Sequence, residues 1–337
     1  MRRLQDFLLL LVALVLVLPV LAVLGSWLDW DAVSGQILRE MAATVLPEYA
    51  LTSVALCLVV AVGVAVVGTA AAAAVTLFDF PGRHTFEWAL LLPLAIPAYV
   101  VAYAYTDFLQ FSGPFQSWVR ASFGFEGRVF PEVRSLPGAA WVFIFSLYPY
   151  VYLLARAAFS ERAAHLMEAA RLLGAPLSRR IGRVAIPLAR PAVAAGVALA
   201  LMETLADFGV SSYFGIQTFT TGIYKAWLAM DNRIAAAQLA TVLLLVVAAL
   251  LGLERRAQRR LRFAGTRGSR AGSADAQPMP LRGARRVLAW ALCGLPVLLG
   301  FVLPVLFMLR PLAADWSVLP WDRFVQWAFN SLRLGAI

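Results

Sequence analysis

Charged side chains, histidine and cysteine are all scarce in this sequence of 337 residues. Only 14% of the residues are charged and 61% are hydrophobic, and the mean hydropathy is +0.77. A soluble domain carries about 25% charged residues, so this composition excludes an ordinary soluble domain. It predicts an all-α membrane protein, because a helix satisfies its own backbone hydrogen bonds in lipid.

Two further absences exclude several kinds of chemistry. The sequence has no glycine-rich loop ending in Gly-Lys-Ser or Gly-Lys-Thr, so we expect no nucleotide to be bound by this chain in the usual way. Its two histidines, His84 and His165, lie near neither a cysteine nor a paired carboxylate, and Cys57 and Cys293 stand far apart within apolar runs. We therefore expect no catalytic residue, no metal site and no cofactor, and we predict that the protein is not an enzyme.

Long apolar runs alternate with short polar segments along the chain. Each run is long enough to cross a bilayer as a helix. The runs are roughly Phe7–Trp27, Tyr49–Phe78, Trp88–Phe108, Gly138–Phe159, Leu188–Asp207, Ile234–Leu253 and Val287–Leu309, and an eighth opens at about Trp327. Between them, we predict loops at 28–48, 109–137, 208–233 and 310–326.

The net charge of +10 arises from arginines that cluster between the apolar runs. This placement is typical of cytoplasmic membrane loops and gives no support to nucleic-acid binding. Residues 254–286 hold ten arginines among Gly, Ser and Pro, which predicts a flexible basic linker. With the predicted spans, the basic segments all fall on one side, so we expect a multi-pass protein with a cytoplasmic N-terminus.

A short repeat suggests the domain organisation. Leu18-Pro19-Val20-Leu21 in the first run recurs as Leu303-Pro304-Val305-Leu306 in the seventh. We predict a first module of six spans at 1–253, the linker at 254–286, and the truncated start of a second module at 287–337.

Residues 160–187 form the one polar, helix-coded segment between two long apolar runs. The pattern predicts a short helix, a break at Gly174, a second short helix, and a stop at Pro187. The second helix has an apolar face that we expect to rest on the spans, and its arginines should lie mostly away from that face. The face consists of Leu177, Ile181 and Val184, and the arginines are Arg179, Arg180 and Arg183.

The order of residues in this segment is specific. Glu168-Ala169-Ala170 is followed after three residues by Gly174, after nine more by Val184, and after one more by Ile186-Pro187. The arrangement resembles the EAA signature of ABC-importer permeases, with Val for Ile and Ile for Leu. The resemblance implies a helix bundle of the type I importer permease kind, coupled through this segment to a separate ATPase. The alternative is an ordinary amphipathic loop between two spans.

Carboxylates and tyrosines inside the spans are the candidates for a translocation path, because polar groups are costly there. Glu203 and Asp207 are four residues apart on the fifth run, and Tyr99, Tyr103 and Asp107 share one face of the third. Their oxygen atoms suit a hard cation. The alternative is an interfacial aromatic belt with carboxylates at helix ends.

Residues 91–107 and 203–224 resemble the corresponding regions of iron(III) importer permeases, a family that commonly fuses two modules in one chain. The resemblance implies import of iron(III) across a bacterial inner membrane, with a periplasmic solute-binding protein and a cytoplasmic ATPase dimer that binds ATP. Thiamine and other small-solute permeases share this layout. A secondary transporter driven by an ion gradient is the competing class, although it should carry carboxylates near the middle of the membrane.

Overall fold

The computed structural model describes residues 2–29, 31–160, 164–262, 278–314, 316 and 320–336, and these are almost entirely helical. The α-helices, numbered in chain order, are α1 Arg2–Gly25, α2 Ala32–Thr44, α3 Leu46–Leu77, α4 Arg83–Ala89, α5 Ala98–Leu109, α6 Pro114–Phe123, α7 Leu136–Ala158, α8 Ala164–Leu172, α9 Leu177–Arg180, α10 Ile186–Ala206, α11 Gly209–Phe214, α12 Phe219–Tyr224, α13 Arg233–Arg262, α14 Ala284–Val297, α15 Leu303–Ala314 and α16 Trp321–Gly335. A 3-10 helix spans Leu92–Ala95, and π-helical turns span Ile181–Ala185, Lys225–Ala229 and Leu298–Val302. Two short strands are β1 Phe78–Asp79 and β2 Met279–Pro280.

Helices of membrane-spanning length occur at five of the eight predicted apolar runs. Among the described residues, five helical stretches are long and apolar enough to cross a bilayer: Leu46–Leu77, Leu136–Ala158, Leu177–Ala206, Arg233–Gly252 and Ala284–Ala313. A bent pair of helices over 83–123 makes a sixth, and α1 contributes a shorter apolar helix, Leu9–Gly25. The prediction of an all-α polytopic membrane protein is therefore confirmed.

The third predicted span, at about Trp88–Phe108, is broken in the structure. Residues Arg83–Ala95 and Ala98–Phe123 meet at an angle of 88°. Pro93 lies in the 3-10 helix, and Pro97 precedes α5 in an extended conformation. Each proline lacks the backbone N–H that a continuing α-helix needs, so two prolines four residues apart turn the chain.

Two segments predicted as loops contain helices. Within 109–137, Pro114 occupies the first turn of α6, and Gly124 ends that helix with φ +67°. Within 208–233, Asp207 Oδ1 accepts a hydrogen bond of 2.8 Å from Val210 N at the start of α11, and the Thr218 hydroxyl accepts one from Thr221 N at the start of α12. These capping residues stabilise short helices that hydropathy alone does not reveal.

The basic segment 254–286 is ordered over more of its length than a flexible linker predicts. Helix α13 continues past Leu253 to Arg262, and residues 263–277 lie outside the described part of the chain. Beyond that gap, β2 pairs in parallel with β1, and Leu281 N donates a 2.9 Å hydrogen bond to Asp79 O. The linker therefore rejoins the bundle at the end of α3.

The core forms where α3, α7 and α10 pack together. Small residues of α3 face inward, with Ala71 and Ala72 fully buried. A Cβ atom at Gly68 would lie 2.7 Å from Val151 Cβ, and one at Gly196 would lie 2.5 Å from Val151 Cα. The two glycines thus allow α3 and α10 to approach α7 closely from either side.

The helix predicted to open a second module packs into the same core. Cys293 of α14 is buried and free, as its apolar surroundings predict, whereas Cys57 is only half-buried. Tyr105 donates a 2.6 Å hydrogen bond to Leu299 O, and Phe108 stacks on Phe307 with ring centroids 3.9 Å apart. The seventh span is therefore held by α3, α5 and α7.

Candidate functional site: a coupling segment and a polar pocket

The first half of the coupling segment, which we define as residues 164–187, ends in an ordered glycine turn. Helix α8 stops at Leu172, and Gly174 takes the left-handed conformation with φ +78°, as predicted. The turn is closed by hydrogen bonds from Ala175 N to Ala170 O at 3.0 Å and from Gly174 N to Arg171 O at 2.9 Å. A glycine adopts this backbone conformation without the steric cost that a Cβ atom brings.

The second half of the segment does not stop at Pro187. Helix α9, the π-helical turn and α10 run on as one helical stretch, and Pro187 sits in the first turn of α10. The prediction of a helix break there was wrong. Pro187 lacks a backbone N–H, but it follows the π-helical turn and lies in the first turn of α10, where the missing donor costs no helical hydrogen bond. The chain therefore passes from the coupling segment into the fifth span without interruption.

The apolar face of the second half rests on the spans, as predicted. Ile181 and Val184 pack against the buried core, and Leu177 is half-buried. Arg179 and Arg183 are exposed, whereas Arg180 is buried. Its side chain is only 9% exposed, and its Nη2 lies 3.5 Å from Met279 Sδ, because β2 covers this end of the helix.

The two halves of the signature meet in a surface cleft of about 540 Å³. Helix α8 contributes Ala169 and Ala170, and the continuous helix contributes Val184 and Pro187. Leu166, Leu173, Arg183 and Leu188 complete the lining. Residues separated by fourteen or more positions in the sequence therefore form one concave apolar surface.

The remaining signature residues surround this cleft without lining it. Glu168 Oε1 lies 3.6 Å from Arg171 Nη1 on the exposed side of α8. Ile186 is 40% exposed and faces a different groove. Leu172 and Leu173, at the Gly174 turn, are 82% and 88% exposed. Large apolar side chains this exposed at an ordered turn are typical of an interaction surface.

A second cavity, of about 250 Å³, brings together three of the five predicted translocation-path residues. Tyr99, Glu203 and Asp207 line it, and Tyr150 and Ser146 of α7 add further oxygen atoms. The broken third span supplies the opposite wall through Pro93, Leu94, Ile96, Pro97 and Ala98. The cavity, which we call the polar pocket, therefore exists because the two prolines bend the chain.

The other two path candidates lie elsewhere. Neither Tyr103 nor Asp107 lines the polar pocket. Tyr103 is 49% exposed, and its ring centroid lies 6.1 Å from that of Tyr213. Because the bend ends just before α5, residues that follow Tyr99 by one and two turns continue away from the pocket.

Sequence reasoning missed a lysine site on the segment after α10. Lys225 is the only lysine of the chain, a rarity that was the available signal. Its Nζ donates hydrogen bonds of 2.8 Å to the Tyr49 hydroxyl and 2.6 Å to Gln217 Oε1. It lines a cavity of about 250 Å³ together with Ser211 and Thr221. A positively charged side chain lines this cavity, whereas two carboxylates line the polar pocket.

An ion cluster that joins α4 to α7 was also missed. Arg156 Nη2 lies 2.7 Å from Glu87 Oε2, and Arg83 Nε lies 3.4 Å from Glu87 Oε1. Tyr152 donates a 3.0 Å hydrogen bond to Glu87 O. The cluster ties the broken span to the helix that leads into the coupling segment.

A bundle of spanning helices, with a polar pocket inside it and a structured helix pair at one end, defines a polytopic membrane protein of the transporter class. The chain belongs to the family of binding-protein-dependent transport system inner membrane components, whose model matches residues 66–263. It is therefore a transport component and not an enzyme. The matched residues include both the coupling segment and the polar pocket.

Several curated relatives match half of the chain or more. The Fe(3+)-transport system permease protein FbpB 2 of Haemophilus influenzae is 27% identical over 187 residues, which cover 56% of this chain and 33% of the relative. The putative 2-aminoethylphosphonate transport system permease protein PhnU of Salmonella choleraesuis is 28% identical over 177 residues, covering 51% and 62%. The sulfate transport system permease protein CysT of Escherichia coli is 27% identical over 208 residues, covering 60% and 70%. The chain thus spans less than two thirds of the first two relatives.

A solved structure has the same fold. The crystal structure of a bacterial alginate ABC transporter, in complex with an alginate pentasaccharide-bound periplasmic protein, matches with a TM-score of 0.63. The match covers 79% of this chain and 97% of the other, at 16% sequence identity. This likeness establishes the architecture alone.

Proposed function

We propose that this chain is the permease subunit of an ATP-driven ABC importer in a bacterial inner membrane, with its N-terminus in the cytoplasm. A cytoplasmic ATPase dimer binds and hydrolyses ATP, and a periplasmic solute-binding protein delivers the substrate. The chain itself binds no cofactor. Membership of the binding-protein-dependent transport family supports the class, and the solved relative bound to a periplasmic protein supports the kind of partner.

The observation that carries the coupling proposal is the exposed glycine turn beside the signature cleft. An isolated amphipathic loop has no need of two leucines more than 80% exposed at an ordered turn. The ATPase covers Leu172 and Leu173, and the Glu168–Arg171 pair lies at the edge of the contact. Movement of the ATPase then passes directly into the fifth span, because the helix from Leu177 to Ala206 is continuous.

A charge reversal tests this coupling. In the complete transport complex, Glu168→Lys should weaken binding of the ATPase and abolish its stimulation. The lysine can no longer pair with Arg171, and it presents a positive charge to the partner. The control is Glu126→Lys, which reverses an exposed carboxylate on the opposite side of the membrane in the predicted topology. Equal ATPase stimulation in Glu168→Lys and the parent would contradict the proposal. Uptake that persists when ATP hydrolysis is blocked, and that follows an ion gradient, would establish the competing class of secondary transporter.

For the substrate, we propose iron(III). Two carboxylates and two tyrosines around a cavity of about 250 Å³ supply the hard oxygen ligands that such a cation prefers. The relationship to an Fe(3+)-transport permease supports the same assignment. Thiamine or another small solute is the alternative that the shared layout of these permeases leaves open.

A second candidate is a small oxyanion. The relationships to 2-aminoethylphosphonate and sulfate permeases favour it, as does the cavity with Lys225, Ser211 and Thr221. Uptake into vesicles that contain the complete transporter and its binding protein separates the candidates. Accumulation of iron(III), but not of sulfate, 2-aminoethylphosphonate or thiamine, would support the first proposal, and selective accumulation of any of the others would overturn it.

A further inference from the structure

A large apolar groove runs between three spanning helices, outside the polar pocket and the coupling cleft. Its volume of about 790 Å³ falls in the range of about 300–1,000 Å³ that is typical of ligand pockets. Alanines of α3 form its floor, and side chains of α10 and α14 form its walls. The floor includes Ala65, Ala70, Ala73 and Ala74. The small residues make the groove deep enough for a chain of methylene groups to lie along α3.

Two arginines from different helices converge on this groove. Arg190 of α10 and Arg285 of α14 both line it, and both lie near the ends of their helices that adjoin the coupling segment and the linker. Within the described part of the chain, neither guanidinium makes a hydrogen bond or an ion pair. The side-chain hydroxyl of Thr69 also lies buried in the groove wall without a partner among the described residues.

We propose that the groove binds one anionic phospholipid. Its phosphate lies between Arg190 and Arg285, an acyl chain lies along the alanine floor, and an ester oxygen accepts a hydrogen bond from the Thr69 hydroxyl. Basic pockets between spanning helices bind anionic lipid head groups through this combination of charge and apolar surface. In the predicted orientation, the arginines sit at the cytoplasmic face, where anionic lipid is available.

Charge favours a lipid over a second copy of the chain as the occupant. The chain carries a net charge of +10, and Arg282 and Arg286 are the immediate neighbours in sequence of the groove-lining residues Leu281 and Arg285. A second copy would bring like charge towards two unpaired guanidiniums, whereas a phosphate diester brings the opposite charge and an apolar chain together.

The test measures lipid bound to the purified protein. The chain is stripped of lipid in neutral detergent, and native mass spectrometry then follows binding of phosphatidylglycerol, phosphatidylcholine and free glycerol phosphate. We expect phosphatidylglycerol to bind selectively. Each arginine near an anionic head group contributes about a fivefold factor in affinity, so Arg190→Gln with Arg285→Gln should weaken binding about 25-fold.

Two further variants separate the charge from the groove. Val66 lines the groove and is 62% exposed, so Val66→Trp fills the apolar floor and leaves both arginines in place. It should also abolish binding. Arg255→Gln with Arg256→Gln removes the same charge from an exposed stretch of α13 and should bind lipid like the parent.

Three results would overturn the proposal. If phosphatidylglycerol still bound after the loss of Arg190 and Arg285, these arginines would not form the head-group site. Equal affinity for free glycerol phosphate would reduce the groove to an anion site. Dimers that dissociate when Val66→Trp is introduced would make a second copy the occupant.

Discussion

Replacing Gly174 by aspartate should disconnect the transporter from its ATPase while leaving the membrane fold intact. Gly174 is the turn of the coupling segment, and its φ of +78° is one that a residue with a Cβ adopts only under strain. Apart from its two chain neighbours, no described residue has an atom within 4 Å of the position that a Cβ would occupy there. Among the described residues, a Cβ at this position therefore has open space, and we attribute a further loss of coupling to contact with the partner.

The size of the effect separates the contribution of backbone strain from that of a carboxylate buried against the partner. A left-handed backbone costs a residue with a Cβ about 1–2 kcal/mol, and aspartate lies at the favourable end of that range. A carboxylate left buried and unpaired at an interface costs about 3–5 kcal/mol. Strain alone should thus change coupling by about tenfold, whereas a buried charge should weaken ATPase binding by about 100-fold or more.

The assay compares ATPase stimulation by the reconstituted transporter with the amount of permease inserted in the membrane. Gly124 provides the matched control, because it also ends a helix with positive φ, +67°, and has open space around it. It lies on α6, away from the coupling segment. Gly124→Asp should therefore reproduce the strain and preserve coupling, and Gly174→Ala should lie between the parent and Gly174→Asp.

The reasoning fails if Gly174→Asp binds and stimulates the ATPase like the parent. It also fails if Gly124→Asp lowers stimulation by the same factor, since backbone strain would then account for the whole effect.

Three other predictions follow from the structure. Glu203→Gln combined with Asp207→Asn should lower uptake of the cation by at least about tenfold, because the cation loses its attraction to both carboxylates. Unit charges 4 Å apart at an effective dielectric constant of 20 interact by about 4 kcal/mol. Complex assembly should be unchanged, since an asparagine carbonyl can still accept from Val210 N, and unaltered uptake would return both carboxylates to a helix-end role. A reporter inserted after Gly272 should be cytoplasmic, and a periplasmic signal would refute the topology. Gly68→Val should destabilise the bundle by about 1–3 kcal/mol in a thermal unfolding assay. Gly252→Val should not, because, apart from neighbours in its own helix, no described atom lies within 4 Å of a Cβ at that position. Equal shifts in the unfolding temperature of the two variants would show that the close approach of α3 to α7 does not matter.

The sequence predicts the spans well because hydrophobicity is a property of each segment alone. Apolar runs at Tyr49–Phe78 and Gly138–Phe159 become α3 and α7 with ends shifted by at most three residues. The left-handed glycine of the coupling segment was also predictable, since a glycine that follows a periodic helix is itself the signal. The side of the membrane on which the segment lies stays a prediction.

The direction of a chain within the membrane is not a local property. Pro93 and Pro97 were visible in the third run, but whether two prolines kink a span or turn it by 88° depends on what fills the bend. Here α7 and α10 fill it and create the polar pocket. Pro187 shows the opposite outcome, because a wide turn absorbs it and the helix continues. The helix face of the arginines in the second half of the coupling segment was likewise predicted from periodicity. Periodicity takes no account of β2, which covers Arg180.

The packing of the seventh span makes the covalent connection through the linker partly redundant. Beyond the gap at 263–277, the chain returns to β1 through backbone pairing, and Cys293 and Val297 lie in the core formed by α3 and α7. A single cut of the backbone between residues 263 and 277 would therefore leave two polypeptides that stay together through buried apolar surface and aromatic stacking. A split gene that encodes these two pieces separately should therefore still assemble the same bundle.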